Sequence, residues 1–310
     1  MKKSQILTIG LIACLVLLAA GAWIIFGGSA GFRFANADKY TSGDTTVSAE
    51  AEELEISWTA GKVRVEYYDG GEIRVSETAR RALNDDEKLQ WWLDGKTLRI
   101  QFCKPGFRLG SMPEKELTVS LPKGLELKKA KIVVTSGDVD VADLKAKELQ
   151  LESTSGNITA TAETEKLTGG STSGDCRVTL GNADEVKLSA TSGNIALLLG
   201  EADKVEIGST SGTLSVEGKK IRKTKISATS GTVYAKLAAF DELEIGTTSG
   251  NVTAALPEKP GFSCEVSSTS GSFDSGIATE KDGKTYSCGD GSAKCRIGTT
   301  SGDVRIDRAE

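Results

Sequence analysis

Two stretches decide the fold: Lys204–Gly218, KVEIGSTSGTLSVEG, and Lys223–Leu237, KTKISATSGTVYAKL. Each sets apolar residues at alternate positions on both sides of a Thr-Ser-Gly tripeptide. In the first, Val205 and Ile207 precede the tripeptide, and Leu214 and Val216 follow it. Alternation with period two marks a strand with one buried face. The unit therefore reads as two short strands joined at a glycine corner, where a positive φ costs glycine little.

Outward from these stretches the tripeptide recurs, ending at Gly137, Gly156, Gly174, Gly193, Gly212, Gly231, Gly250, Gly271 and Gly302. The intervals are 19, 18, 19, 19, 19, 19, 21 and 31 residues. A fixed period near 19 signals a unit whose copies touch mainly their neighbours. Core positions fall two and four residues after each glycine and five and seven before it. Strands recurring in one direction pair most simply with their counterparts in the next copy, in parallel, at about 4.8 Å per coil. The expected fold is all-β, a single-stranded parallel β-solenoid (β-helix-like) with ~19-residue coils.

The same offsets reach back to Leu54, Ile56, Val63 and Val65 around a degenerate corner at Gly61. The repeat domain is expected over residues 51–308. Residues 51–128 form degenerate coils with an insertion at 80–92, helical or looped. Residues 129–308 form the Thr-Ser-Gly coils, with a β-hairpin insertion at 275–291. Thr41-Ser42-Gly43 has Asn36 and Asp38 at the earlier core offsets and reads as a coincidence in a linker, residues 27–50.

Lys2 and Lys3 precede an uncharged run, residues 6–26, whose length at 1.5 Å per residue matches a bilayer core. It is expected to be a transmembrane helix contacting the lipid bilayer. Residues 1–5 would be cytoplasmic, and the repeat domain would lie outside a cell membrane crossed once. A lipobox-like Leu11–Cys14 and a cleavage site at Ala35-Asn36-Ala37 are the competing readings; each exports the rest of the chain.

The chain has 310 residues, a formal net charge of −5 and no histidine. Histidine triads, histidine acid–base catalysis and histidine metal ligation are thereby excluded. No basic patch announces nucleic acid. Cys176, Cys264 and Cys295 occupy core columns, which favours packing, although consecutive coils could bring Cys264 and Cys295 close enough to bridge. Asp or Asn follows six of the corner glycines. Turn stabilisation accounts for them better than calcium, because the column is interrupted. The outward column from Asp140 to Arg305 shows no tight carboxylate pair. Trp91 and Trp92 are the conspicuous aromatic pair, expected either to cap the core or to form a partner surface. No catalytic, cofactor-binding or metal residue is assigned, and no cofactor is expected. The corner glycines from Gly61 to Gly302 are structural.

The opening Leu54–Val75, the bridge Leu121-Pro122-Lys123-Gly124 and the serial Thr-Ser-Gly-Asp/Asn-apolar units resemble the bacterial "putative adhesin" β-strand-repeat family, domain of unknown function 4097, which includes LiaG-like envelope proteins. The resemblance implies a membrane-anchored β-repeat domain facing outward, tied in some members to envelope stress, and brings no catalytic residues. The expected function is non-enzymatic: adhesin-like binding or scaffolding at the envelope, with a cell-envelope protein or glycan as partner. The alternatives are a carbohydrate-active β-helix enzyme and a self-assembling structural rod.

Overall fold

The computed structural model describes residues 33–106 and 112–309. Regular structure there is β throughout, apart from one 3-10 turn at Ala37–Lys39. The described residues fall into two compact units, an N-terminal one within residues 15–164 and 169–174 and a C-terminal one within residues 165–168 and 175–310.

In the N-terminal unit the strands Glu53–Ala60 and Val63–Tyr68 form the coil around Gly61. The first pairs in parallel with Leu127–Ser136 on one edge and Thr97–Gln101 on the other. The second pairs in parallel with the start of Val139–Ser155 and with Lys115–Pro122. The coil of Gly61 therefore lies directly against the coil of Gly137, and the intervening chain folds to its other side. Antiparallel strands close that side. Gln90–Asp94 and then Thr41–Ser42 lie beyond Thr97–Gln101, while Glu72–Ala79 and then Thr45–Ser48 lie beyond Lys115–Pro122. Residues 41–48 are thus paired strands rather than linker. Gly43 is no coil corner: its N–H donates to the Leu89 carbonyl at 2.9 Å.

The C-terminal unit shows the same departure from chain order. Ile195–Ser211 and Leu214–Ser230 are continuous 17-residue strands, paired in parallel along their length. Leu214–Ser230 is followed in space by Val233–Leu237 and Phe240–Ser249. The next neighbour of Phe240–Ser249 is Ala293–Ser301, and that of Val252–Leu256 is Val304–Arg308. Only beyond this final coil come Gly261–Ser270 and Phe273–Ser275. The last coil in sequence is slotted between the two before it. Composition explains the choice. A coil with neighbours on both edges needs apolar core positions, and Ile297, Val304 and Ile306 are at most 1% exposed. The Gly271 coil carries Ser275 at a core offset and suits an end, where Thr285–Gly289 covers its first strand antiparallel. Thr285–Gly289 in turn makes a hairpin with Glu280–Asp282.

The corner repeats one hydrogen-bond pattern. The Gly231 N–H donates to the Ser249 carbonyl of the next coil at 3.0 Å, and the Val233 N–H to Asn251 at 2.9 Å. At Gly212, φ is +127°, and an added Cβ would lie 2.2 Å from the Gly193 carbonyl oxygen. Backbone conformation and coil spacing thus both demand glycine there.

These pairings correct the expectation of a single-stranded parallel β-solenoid. The fold is all-β and repetitive, with a closed six-stranded parallel barrel and many further strands. Its coils stack out of chain order, and antiparallel strands are built into it. Periodicity assigns residues to columns but cannot specify which edge a coil joins. The single-pass membrane expectation is corrected too. Residues 6–26 lie outside the described residues, and among the described residues no helix is long and apolar enough to cross a membrane.

Candidate functional site

Each strand before a corner carries outward residues six and eight positions ahead of the glycine. In the C-terminal unit the column at six reads, in chain order, Lys187, Glu206, Lys225, Glu244, Glu265, Arg296. In space Arg296 stands between Glu244 and Glu265, because the final coil is slotted there. The sign then alternates at every step: Lys187, Glu206, Lys225, Glu244, Arg296, Glu265. Opposite charges facing each other across paired strands are favourable and like charges are not.

The contacts follow the ladder. Lys187 reaches Glu206 at 3.8 Å, Lys225 reaches Glu244 at 3.8 Å, and Arg296 meets Glu265 at 3.1 Å. In the adjoining column Lys223 meets Glu242 at 3.3 Å, and Lys204 bridges Glu206 at 3.0 Å and Glu185 at 3.3 Å. The hydrogen bond to Glu206 holds the Lys204 ammonium above its ordinary range. Burial pushes the Glu185 carboxyl up, but hydrogen bonds from Lys204 and Lys166 outweigh it, leaving the carboxyl below its usual range. The two columns floor an open groove of about 530 Å³. Its carboxylates Glu206, Glu242, Glu244 and Glu265 each face a cation, so none is placed as a general acid opposite a free base. The strand face after the corners is different: Ala196, Ser215, Tyr234 and Thr253 are uncharged neighbours, with Tyr234 and Leu198 each 48% exposed.

The N-terminal unit holds one buried ionic cluster. Lys115 is 1% exposed; its Nζ pairs with Glu77 at 2.7 Å and donates to the carbonyls of Glu87 at 2.7 Å and Phe102 at 2.5 Å. Glu77 also accepts the Leu89 N–H at 2.7 Å. The Trp58 indole donates to the Lys115 carbonyl at 3.3 Å and packs edge-on to Phe102. A buried charge needs such full compensation. Here it ties the 80–92 segment to the strands around it, a structural role. A lone lysine opening an alternating strand gives no sequence signal of this.

Trp91 and Trp92 are half-buried on Gln90–Asp94, in the antiparallel strand beyond Thr97–Gln101. The Trp92 ring meets Tyr40 edge-on at 5.7 Å and lies 4.9 Å from the Lys39 ammonium. The outward column after the corners brings no acids together: Asp140 pairs with Lys62 at 3.0 Å, Arg177 with Asp175 at 2.7 Å, and Arg305 with Asp274 at 3.3 Å. Among the described residues no group of three or more His, Cys, Asp or Glu could hold a metal. Cys176, Cys264, Cys288 and Cys295 are free thiols; Cys103, Cys176, Cys264 and Cys295 are buried. Burial pushes the Cys176 thiol up to about 12.

No curated protein matches the chain. Among solved structures, a "putative adhesin" from Parabacteroides distasonis is 16% identical, with 86% of this chain and 97% of that one covered and a TM-score of 0.47. A "putative adhesin" from Bacteroides fragilis is 15% identical over 86% of this chain and 97% of that one, with a TM-score of 0.43. A "putative lipid binding protein" from Parabacteroides distasonis is 12% identical over 86% and 96%, with a TM-score of 0.30. The family model described as Toastrack DUF4097 matches residues 51–307, most of the chain, and the protein belongs to that family.

Proposed function

We propose that this protein is a non-enzymatic, adhesin-like binding or scaffolding module of the bacterial cell surface, with the charged groove of its C-terminal unit as the recognition face. The observation that carries this reading is the ladder itself. Its acids and bases are spent on one another in a regular array, which suits recognition of an extended partner and leaves no converging pair for turnover. The partner fitting an alternating array is an envelope protein or glycan that follows the ladder. A role in envelope stress is the finer form of the same reading. The self-assembling rod is disfavoured, because antiparallel strands cover the first strand of the Gly271 coil and both outer strands beside the Gly61 coil.

The test places a photo-crosslinking residue at Lys223 or Glu242 in the groove, and in a control at Tyr234, in living cells. Groove positions are expected to capture an envelope protein or glycan that Tyr234 does not. Capture of no envelope component, or equal capture at both faces, would overturn the assignment. Turnover of an oligosaccharide by the purified chain would overturn the non-enzymatic part.

A further inference from the structure

The final coil and the coil beyond it share one more column. Seven residues before their corners stand Cys295 and Cys264. Because the final coil is slotted inward, these two are direct register partners on neighbouring parallel strands. Cys264 is 0% and Cys295 5% exposed, so both side chains face the core. Neighbouring strands lie about 4.8 Å apart, inside the ~4.4–6.8 Å range of Cα separations that a disulfide spans. Cys288 is placed differently: its register partner is Phe262, and its thiol lies 3.9 Å from the Glu258 carbonyl.

The geometry points to Cys264 and Cys295 as an intrachain disulfide site that fastens the last coil to its cap. Both thiols are free in this structure. Both side chains are shut away from solvent in the folded chain, and burial, then the contact with Cys264, push the Cys295 thiol well up, so Cys295 is a poor nucleophile there. The bond therefore forms while the final coil docks, before the Thr285–Gly289 strand covers the site. The oxidant is a disulfide, either a small molecule or an oxidised dithiol carrier. One cysteine thiolate attacks a sulfur of that disulfide and releases one thiol. The second cysteine then displaces the remaining half from the mixed disulfide. Two electrons pass to the oxidant, two protons leave with its two thiols, and one S–S bond joins the coils. The link would close the 280–289 hairpin into a covalent loop and hold in place a coil that chain order alone would leave free.

The full chain is refolded with glutathione disulfide, then unfolded, alkylated with N-ethylmaleimide, weighed and digested. Two of the six cysteines are expected to escape alkylation, in one linked peptide pair containing Cys264 and Cys295. The unfolding midpoint should rise by on the order of 5 °C and fall back with dithiothreitol. Cys264→Ser and Cys295→Ser should each restore full alkylation. Should either fail to fold, Cys288→Ser keeps both partners and must still give the linked peptides. Alkylation of all six cysteines after oxidation, or a linked peptide containing Cys288, overturns the assignment.

Discussion

Asp175 shows what the residue after each corner does. Its carboxylate accepts the backbone N–H of Asn194 at 3.0 Å, in the next coil, and the Asn194 side-chain amide at 3.0 Å. Asn194 passes the pattern on, its own side-chain oxygen accepting the Thr213 N–H at 2.9 Å, and Asn251 does the same for Asp303 at 2.9 Å. Either residue supplies the acceptor, which is why Asp and Asn alternate freely in this column. They differ in charge. The backbone bond from Asn194, ahead of the opposing burial and the nearby Arg177, holds the Asp175 carboxyl below its usual range. A carboxyl whose pKa is depressed on folding contributes stability that is complete above its unfolded value, about 3.9, and is lost as pH falls through the folded value. Asp175→Asn keeps an acceptor but not the charge, so it is expected to lose that charge-dependent part of the stability at neutral pH and to flatten the decline below about pH 4. Asp175→Ala should lose about 1 kcal/mol at neutral pH, the worth of a typical hydrogen bond. Urea midpoints between pH 7 and 2 read both. An Asn variant that declines as steeply as the parent would show that the charge contributes nothing.

The charge ladder is a property of elements, because it exists only once the strands are in their spatial order. Glu244 and Arg296 face each other across neighbouring strands although 52 residues separate them in sequence. Exposed opposite charges so placed should couple favourably by about 0.2–1 kcal/mol, less at high salt. A double-mutant cycle with Glu244→Gln and Arg296→Gln, followed by urea unfolding, measures that coupling. The same cycle on Glu244 and Glu265 should give almost none, since Arg296 intervenes. In a chain-order stack those two glutamates would be neighbours and would repel, so a repulsive coupling between them would refute the slotted coil. Much of each coil was legible in sequence: the core columns, the corner glycines and the buried Cys176, Cys264 and Cys295 all follow from period-two alternation around Thr-Ser-Gly. Stacking order was not, because every coil offers the same hydrogen-bonding edges and periodicity is blind to which edge is taken. Two faint signals were present. Ser275 sits where other coils place an apolar side chain, and the Lys/Glu alternation breaks at Glu265 unless Arg296 precedes it. The strand at 72–79 shows in the alternation of Ile73 and Val75, but its antiparallel pairing, the strands at 41–42, 45–48 and 90–94 and the buried Lys115 left no comparable trace, since none of them belongs to the repeat.

At the scale of the whole molecule, the chain places late sequence inside the C-terminal unit and earlier sequence at its end. The unit is therefore complete only when its last coil is in place. The Gly250 N–H donates to the Ser301 carbonyl at 2.9 Å, and the Val252 N–H to that of Asp303 at 2.9 Å. On the other side, the Gly302 N–H donates to Ser270 at 3.0 Å and the Val304 N–H to Ser272 at 2.9 Å. Stopping the chain after Gly291 removes both sets of bonds and uncovers the apolar column on two edges, those of Phe240–Ser249 and Gly261–Ser270. A simple terminal deletion in a chain-order stack would uncover one edge and leave the Gly250 coil bonded to the Gly271 coil. Hydrogen exchange separates the cases, because an amide without its partner exchanges through small local openings rather than global unfolding. In the truncated chain the amides of Gly250 and Val252 should exchange much faster, and residues 261–275 should lose protection with them. Those of Leu214 and Val233, bonded to Thr232 and Asn251, should change far less. Full protection retained at Gly250 and Val252 would mean that another coil had taken the slot, and the interior position of the final coil would have to be abandoned.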